Sequence, residues 1–225
     1  MITTNLEGSP DPVRPRRVLQ TRKTRWAAAL SRRIADGGVT PNQISVASIF
    51  CAFLTAACFV EARNSHGTAQ AAWLLSVALT IQARLLCNLL DGMVAVECGR
   101  KSKTGDIYND FPDRVSDIVT LVAAGYAASC PYGPIMGWMA AVLALFTAYV
   151  RLLGGSLGTP QYFIGPMAKQ HRMAALTVGC IIAAGLAAAH MTVWGIDTAL
   201  AVIIAGAIVT SVRRIRRIAS DLESR

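Results

Sequence analysis

Long blocks of Ala, Val, Ile and Leu alternate along this chain with short clusters of Gly, Pro and polar residues. Each block is close to the roughly 20 residues that a helix needs to cross a bilayer, so the pattern predicts six membrane-spanning helices. The predicted spans are 42–62, 70–96, 107–128, 134–155, 171–190 and 196–217. The first has a clear start at Thr40-Pro41-Asn42-Gln43, which combines a capping threonine, a proline at the first helical position and a glutamine three residues after the cap.

The segment before the first span divides into two parts. Residues 1–15 are polar and contain three prolines, which predicts a disordered tail. Residues 16–36 mix arginines with apolar side chains, which predicts an amphipathic helix in the membrane interface, with its arginines toward anionic headgroups. The predicted fold is an all-α integral membrane protein, with this amphipathic interfacial helix followed by a domain of six transmembrane helices over residues 40–218.

Composition and charge agree with a bilayer environment. Of the 225 residues, 53% are hydrophobic and 16% are charged, whereas a soluble domain carries about 25% charged residues. The net charge of +9 would suit nucleic-acid binding, but the Lys and Arg residues cluster between the apolar blocks. Six spans place nearly all of these clusters on one side, which the positive-inside rule assigns to the cytoplasm. We therefore expect a protein of the cytoplasmic (inner) membrane with both termini cytoplasmic, in contact with membrane lipids and not with nucleic acid.

Polar residues interrupt the second and third spans at Asn88, Asp91, Asn109 and Asp113. The two residues in each span are three or four positions apart, so each pair lies on one face of its helix. The two helices run antiparallel, which brings the pairs to a similar depth. No lysine on these faces neutralises the carboxylates, and carboxylates packed together in a low dielectric need a cation or a shared proton. Such oxygen ligands suit Mg²⁺, Mn²⁺ or Ca²⁺; the alternative is a hydrogen-bonded interhelical network.

A second charged pair is predicted one or two turns deeper in the membrane. Asp117 continues the face of Asp113, and its depth, counted from the loop between the two helices, matches that of Arg84. Ionisable groups inside a membrane are costly unless they are paired. We expect Arg84 and Asp117 to face each other, with a structural role favoured over a functional one.

Two further groups of residues suit phosphate binding. Gly92 and Ala95 lie beside the acids and allow close approach to the backbone, although small residues also serve tight helix packing. The loop of residues 99–105 offers donors for a phosphate, Ser102 among them, and ends at Gly105. Arg151, Lys169 and Arg172 bring three cations to the same side of the membrane, where they would bind a phosphate-bearing second substrate or anchor the chain to lipid headgroups.

These residues resemble the motif of the CDP-alcohol phosphatidyltransferases, D-x2-D-G-x2-A-R-x8-G-x3-D-x3-D. This chain reads Asn88-x2-Asp91-Gly92-x2-Ala95-Val96-x8-Gly105-x3-Asn109-x3-Asp113. The spacing matches throughout, and the chain departs from the pattern at three positions, Asn88, Val96 and Asn109. The six spans, the interfacial helix and the Thr40-Pro41-Asn42 helix start also resemble the family.

The resemblance implies a reaction and a role for each residue. Members transfer a phosphoalcohol group, often phosphatidyl, from a CDP-linked donor such as CDP-diacylglycerol to an acceptor hydroxyl, releasing CMP. Carried over to this chain, Asp91 and Asp113 are metal ligands, Asp113 is also the base, and Asn88 and Asn109 occupy metal-ligand positions as neutral oxygen donors for Mg²⁺ or Mn²⁺. The nucleotide and its diphosphate would lie against small or polar residues, namely Gly92, Ala95, Ser102 and Gly105. Members are commonly homodimers.

The departures leave alternatives open. An amide oxygen binds Mg²⁺ more weakly than a carboxylate, and Asp110 is among the acids that would then enter the metal shell. An active membrane phosphotransferase of phospholipid synthesis is favoured, because Asp91, Asp113 and the small residues all remain. The alternatives are a catalytically inactive relative that binds a nucleotide-lipid or a partner, and a small transporter.

Overall fold

The structure is a computed structural model that describes residues 25–97 and 104–224, apart from the side chains at positions 25, 96, 97, 106 and 109. All secondary structure in these two ranges is helical. The helices are α1 (Arg25–Asp36), α2 (Pro41–Asn64), α3 (Gly67–Glu97), α4 (Gly105–Ala127), α5 (Gly133–Ser156), α6 (Lys169–Ala188) and α7 (Gly195–Glu223). The predicted tail at 1–15, and residues 16–24 of the predicted interfacial helix, lie outside the described residues.

Helices α2 to α7 match the six apolar segments of the sequence. The predicted start of α2 is confirmed, because the Thr40 hydroxyl accepts a hydrogen bond from the Gln43 amide at 3.3 Å. The Gln43 side chain accepts in return from the Thr40 amide at 2.9 Å. This capping box satisfies two backbone donors that the helix itself leaves without partners.

The six long helices pack as a closed ring. Around the ring the order is α2, α3, α6, α7, α5 and α4, and α4 returns to α2. Helices α3 and α4 are consecutive in the chain, yet α2 lies between them and they contact each other little. The polar side chains of α3 and α4 therefore meet inside the ring and not across a shared helix interface.

Small residues allow the close approach of neighbouring helices. A Cβ added to Gly137 of α5 would lie 2.8 Å from the Cα of Gly125 on α4, and one added to Gly179 of α6 would lie 2.7 Å from the carbonyl oxygen of Gly195 on α7. Membrane helices associate by such packing because lipid tails provide no hydrophobic drive between them. The glycines thus set the α4–α5 and α6–α7 distances.

Five of the described helices are long and apolar enough to cross a membrane, namely α2, α3, α5, α6 and α7. Helix α4 has 23 residues but carries Asp110, Asp113, Arg114 and Asp117, and it falls outside this set. The protein is an integral membrane protein with an all-helical fold in its described part, as the sequence predicts. Helix α1 packs against α3 and is amphipathic, with Ala27 and Ala35 buried and Trp26 exposed.

Candidate metal and phosphate site

Asp91 is the buried acid of α3. Its side chain points into the helix ring, and the residue is only 4% exposed. Ser45 of α2 donates a hydrogen bond of 2.6 Å to Asp91 Oδ2, a contact that the sequence analysis missed. Serine is common in membrane helices and carries no charge, so the sequence offered no signal for this contact.

Asp113 is the second acid of the site, on α4. Lys169, the first residue of α6, donates to Asp113 Oδ1, and the guanidinium of Arg114 lies 3.9 Å from Asp113 Oδ2. The sequence analysis expects no neutralising lysine on the faces of the two helices themselves, and Lys169 reaches Asp113 from a third helix, α6. Helical spacing describes only the faces of α3 and α4. Lys169 lies on α6, which is distant from Asp113 in sequence but close to it in the ring.

The predicted pair of Arg84 and Asp117 is confirmed and is part of a larger network. Arg84 Nη2 donates to Asp117 Oδ1 at 2.7 Å, and Arg172 Nη2 donates to Asp117 Oδ2 at 2.7 Å. Arg84 also donates to the backbone carbonyl of Asp113 at 3.3 Å. The network ties α3, α4 and α6 together directly beneath Asp113, and it holds Arg172 at 2% exposure.

The three cations that were predicted to bind an acceptor thus occupy different environments. Lys169 contacts Asp113 directly, whereas Arg172 is buried against Asp117. Arg151 of α5 pairs with Asp110 Oδ1 at 2.8 Å, and its guanidinium carbon lies 5.4 Å from the centre of the Phe163 ring. Lys169 and Arg151 remain partly exposed, so they are the two that a ligand reaches most directly.

The residues predicted to lie near the nucleotide are only partly covered by the structure. Gly92 and Ala95 follow Asp91 on α3 and are half-buried, and Gly105 begins α4 and is also half-buried. Ser102 lies outside the described residues. Asn109 belongs to α4, one turn before Asp113, but its side chain is outside what the structure describes.

The side chains around Asp91 fit a divalent cation. Asp91 Oδ1 and Asn88 Nδ2 are both buried without a hydrogen-bond partner among the described residues. A half-turn of the Asn88 amide exchanges its nitrogen and oxygen, so the same side chain can offer its oxygen to a cation. Within the described ranges no three His, Cys, Asp or Glu residues are arranged so that they could hold a metal ion, so a cation here would depend on Asp91, an amide oxygen and water. Mg²⁺ commonly binds with one or two carboxylates and several waters.

An apolar groove opens beside this site on the surface of α4 and α5. Its volume is about 420 Å³, and its lining residues are Asp110, Arg114, Val142, Leu145, Phe146, Ala148, Tyr149 and Leu152. The two charged residues lie on α4, in the same part of the helix as Asp113, and the remainder of the lining is contributed by α5. The groove is thus a largely apolar surface that adjoins the charged residues of α4.

Comparison with known proteins identifies the family. A family model described as CDP-alcohol phosphatidyltransferase matches residues 38–213, which is most of the chain. The protein therefore belongs to the CDP-alcohol phosphatidyltransferase family, as the motif predicts.

Particular relatives come from two comparisons. Inner membrane protein YnbA of Escherichia coli (strain K12) is 28% identical over 138 residues, which cover 60% of this chain and 63% of YnbA. The chain thus matches less than two thirds of that relative's length. A phosphatidylinositol phosphate synthase of Mycobacterium tuberculosis (PgsA1) with CDP-DAG bound has a TM-score of 0.71 at 15% identity, covering 87% of this chain and 94% of that one.

The same synthase in complex with manganese and citrate has a TM-score of 0.70 at 15% identity, covering 85% of this chain and 88% of that one. Its apo form has a TM-score of 0.65 at 16% identity. At such low identity these structures establish that the fold is shared.

Proposed function

We propose that this protein is a membrane phosphotransferase of phospholipid synthesis. It transfers a phosphoalcohol group, phosphatidyl in the simplest case, from a CDP-linked lipid donor to an acceptor hydroxyl and releases CMP. The observation that carries the proposal is the unpartnered, buried Oδ1 of Asp91, in a chain whose motif spacing and family both point to this reaction. Lys169 contacts the proposed base, Asp113, which supports a site that combines these two carboxylates with a cationic side chain.

Asp113 is the proposed base. Lys169 occupies Oδ1, which leaves Oδ2 to accept the proton of the acceptor hydroxyl. The acceptor oxygen then forms a bond to the phosphorus of the transferred group, and the bond from that phosphorus to the oxygen of CMP breaks. The electron pair of the broken bond leaves with CMP. Positioning and charge neutralisation account for most of the catalysis in phosphoryl transfer generally.

The metal would be Mg²⁺ or Mn²⁺, held by Asp91 and Asn88, with Asn109 and Asp113 as the remaining proposed ligand positions. When bound, such an ion neutralises charge that develops on the diphosphate. Ser45 orients Asp91 through the bond to Oδ2. Outer hydrogen bonds of this kind typically change metal affinity by about 10- to 100-fold.

The proposed substrate contacts follow from the motif positions and from which cations lie near Asp113. Gly92, Ala95, Ser102 and Gly105 are proposed to lie against the cytidine diphosphate. Lys169 and Arg151 are proposed to bind a phosphate on the acceptor, because both cations are partly exposed on the side of the ring where Asp113 lies. The buried Arg172 contributes positive charge from below while it stays paired with Asp117.

The membrane arrangement is also a proposal. Helices α2 to α7 form six spans, and α4 crosses the membrane as a member of the ring despite its charges, because those charges face partners and not lipid. Helix α1, within a helix proposed for residues 16–36, lies in the interface, and residues 40–218 form the membrane domain. Both termini are cytoplasmic in an inner membrane, because this topology gathers the basic clusters on one side. A homodimer is proposed from the family resemblance.

The test of the function is release of CMP. Purified protein in detergent or nanodiscs is incubated with CDP-diacylglycerol, Mg²⁺ or Mn²⁺ and a panel of free and phosphorylated alcohols. We expect metal-dependent CMP release with at least one acceptor, and loss of this activity in Asp113→Asn. Asp36→Asn is the matched control, because Asp36 is an exposed carboxylate at the end of α1 and its loss should leave the rate unchanged.

The outcomes separate the proposal from its alternative. Full activity in Asp113→Asn refutes the role given to that residue. If the protein binds CDP but no acceptor in the panel supports CMP release, an inactive relative that retains the nucleotide site is favoured instead.

A further inference from the structure

We propose that this site holds a single divalent cation, on Asp91 and Asn88, and that the ammonium of Lys169 takes the place of a second cation at Asp113. The inference rests on the proposed function, because it concerns the same site, and it specifies the number of metals. It follows from how each described carboxylate near the site is partnered.

Every described carboxylate of α4 is already paired with cationic side chains. Asp110 is 2.8 Å from Arg151, Asp113 binds Lys169, and Asp117 binds Arg84 and Arg172. Asp91 on α3 differs, because its buried Oδ1 lacks a partner among the described residues. Among the described residues near the site, Asp91 thus has a carboxylate oxygen without a partner, whereas three carboxylates of α4 are paired with cationic side chains.

A second metal ion would have to compete with Lys169. The ions of a two-metal site lie about 3.5–4 Å apart and share the charge of the surrounding carboxylates. Here Asp113 Oδ1 accepts from Lys169, and Asp113 Oδ2 faces Arg114 at 3.9 Å. A second divalent ion at Asp113 would therefore displace the ammonium or lie beside two cationic side chains, which is unfavourable in a low dielectric.

The departures of the motif agree with this arrangement. Asn88 and Asn109 replace carboxylates of the family pattern, so the site has two fewer negative charges. Asp91, Asp113 and Lys169 together have a formal charge of −1, which one divalent ion changes to +1 and two change to +3. One ion leaves a modest positive charge for a diphosphate donor. The two uncharged asparagines and Lys169 thus together leave the site with negative charge for one divalent ion.

Lys169 keeps donors free for a ligand in this arrangement. An ammonium has three N–H donors, and one of them is used by Asp113. The remaining donors can contact an anionic group of the acceptor and hold its hydroxyl near the base. The lysine would then replace both the charge and the substrate-orienting role of a second ion.

The experiment counts bound metal directly. Mn²⁺ alone is titrated into the full-length protein, and free Mn²⁺ is followed by electron paramagnetic resonance, with and without CDP. We expect one tightly bound Mn²⁺ per chain in both conditions. This measurement requires no variant, so it does not depend on whether a substituted protein folds.

Variants test the role of Lys169. In Asn88→Asp/Asn109→Asp, which restores the family carboxylates, we expect a second Mn²⁺ to bind weakly because Lys169 is still present. Adding Lys169→Gln should tighten the second site at least tenfold. Adding Arg216→Gln instead, at an exposed arginine of α7, removes the same charge away from the site and should not.

Each result decides the inference. Two tightly bound Mn²⁺ ions in the unsubstituted protein, or equal second-site affinity with and without Lys169→Gln, overturns it. If CMP is released in such a protein, the proposed function stands while the single-metal inference fails. If no Mn²⁺ binds and no CMP is released, both are wrong.

Discussion

Loss of the Asp117 carboxylate should strongly destabilise the fold. Its two carboxylate oxygens each accept one hydrogen bond of 2.7 Å, from Arg84 and from Arg172. Arg84 is fully buried, and Asp117 and Arg172 are each 2% exposed. Asp117→Asn would therefore leave two buried guanidinium groups without their counter-ion.

The expected loss of folding free energy follows from the pairing of one carboxylate, that of Asp117, with two arginines. Removing one partner of a buried ion pair typically costs about 3–5 kcal/mol, and Asp117→Asn removes the partner of two arginines. Arg84→Gln should cost less, about 1.5–3 kcal/mol for the loss of hydrogen bonds to a charged group, because Asp117 keeps Arg172. Asp117→Asn should thus be the more damaging substitution of the two.

The measurement is unfolding in mixed micelles with increasing SDS, followed by the fluorescence of the four tryptophans. The double variant Asp117→Asn/Arg84→Gln should lose less stability than the sum of the single losses, by about 0.5–3 kcal/mol, because the residues contact each other. Asp36→Asn, at an exposed site, should change stability by less than about 0.5 kcal/mol. Additive losses would show that the Arg84–Asp117 pairing contributes no stability. An Arg84→Gln cost equal to that of Asp117→Asn would contradict the argument that Asp117 balances two arginines.

Two further predictions concern the metal ligand and the helix packing. Ser45→Ala removes the hydrogen bond to Asp91 Oδ2 and should weaken Mn²⁺ binding about 10- to 100-fold, whereas Ser76→Ala, whose hydroxyl bonds only its own helix, should not; equal affinities would contradict the orienting role. Gly137→Ala places a Cβ 2.8 Å from backbone atoms of α4 and should destabilise the protein by about 1–3 kcal/mol. Gly185→Ala, with nothing within 4 Å of the new Cβ, should be neutral or stabilising; the same melting shift in both variants would contradict the packing argument.

Most of the helical architecture could be predicted from the chain alone. Apolar blocks near the length of a span, separated by Gly, Pro and polar clusters, locate six long helices to within about three residues, except that α7 continues to Glu223, six residues beyond its predicted end. The capping box at Thr40 was also predictable, because its hydrogen bonds join residues three positions apart. Such local features depend on residues that are close together along the chain, so they can be predicted from sequence spacing.

Helical spacing also predicted one contact between helices. Arg84 and Asp117 lie at matching distances from the loop that joins their antiparallel helices, and the cost of an unpaired charge in a membrane forces them together. The same reasoning placed Asp91 and Asp113 in one site. Their roles in metal binding and catalysis remain predictions for the experiments above.

The packing order of the helices was not accessible in this way. The sequence does not say that α2 lies between α3 and α4, or that α6 brings Lys169 to Asp113 and Arg172 to Asp117. These contacts are 55 or more residues apart in the chain, and they depend on which helix faces fit together in the ring. The motif therefore determines which residues can form the site, and the ring decides which cations balance its carboxylates, because that balance is made across helices that only tertiary packing brings into contact.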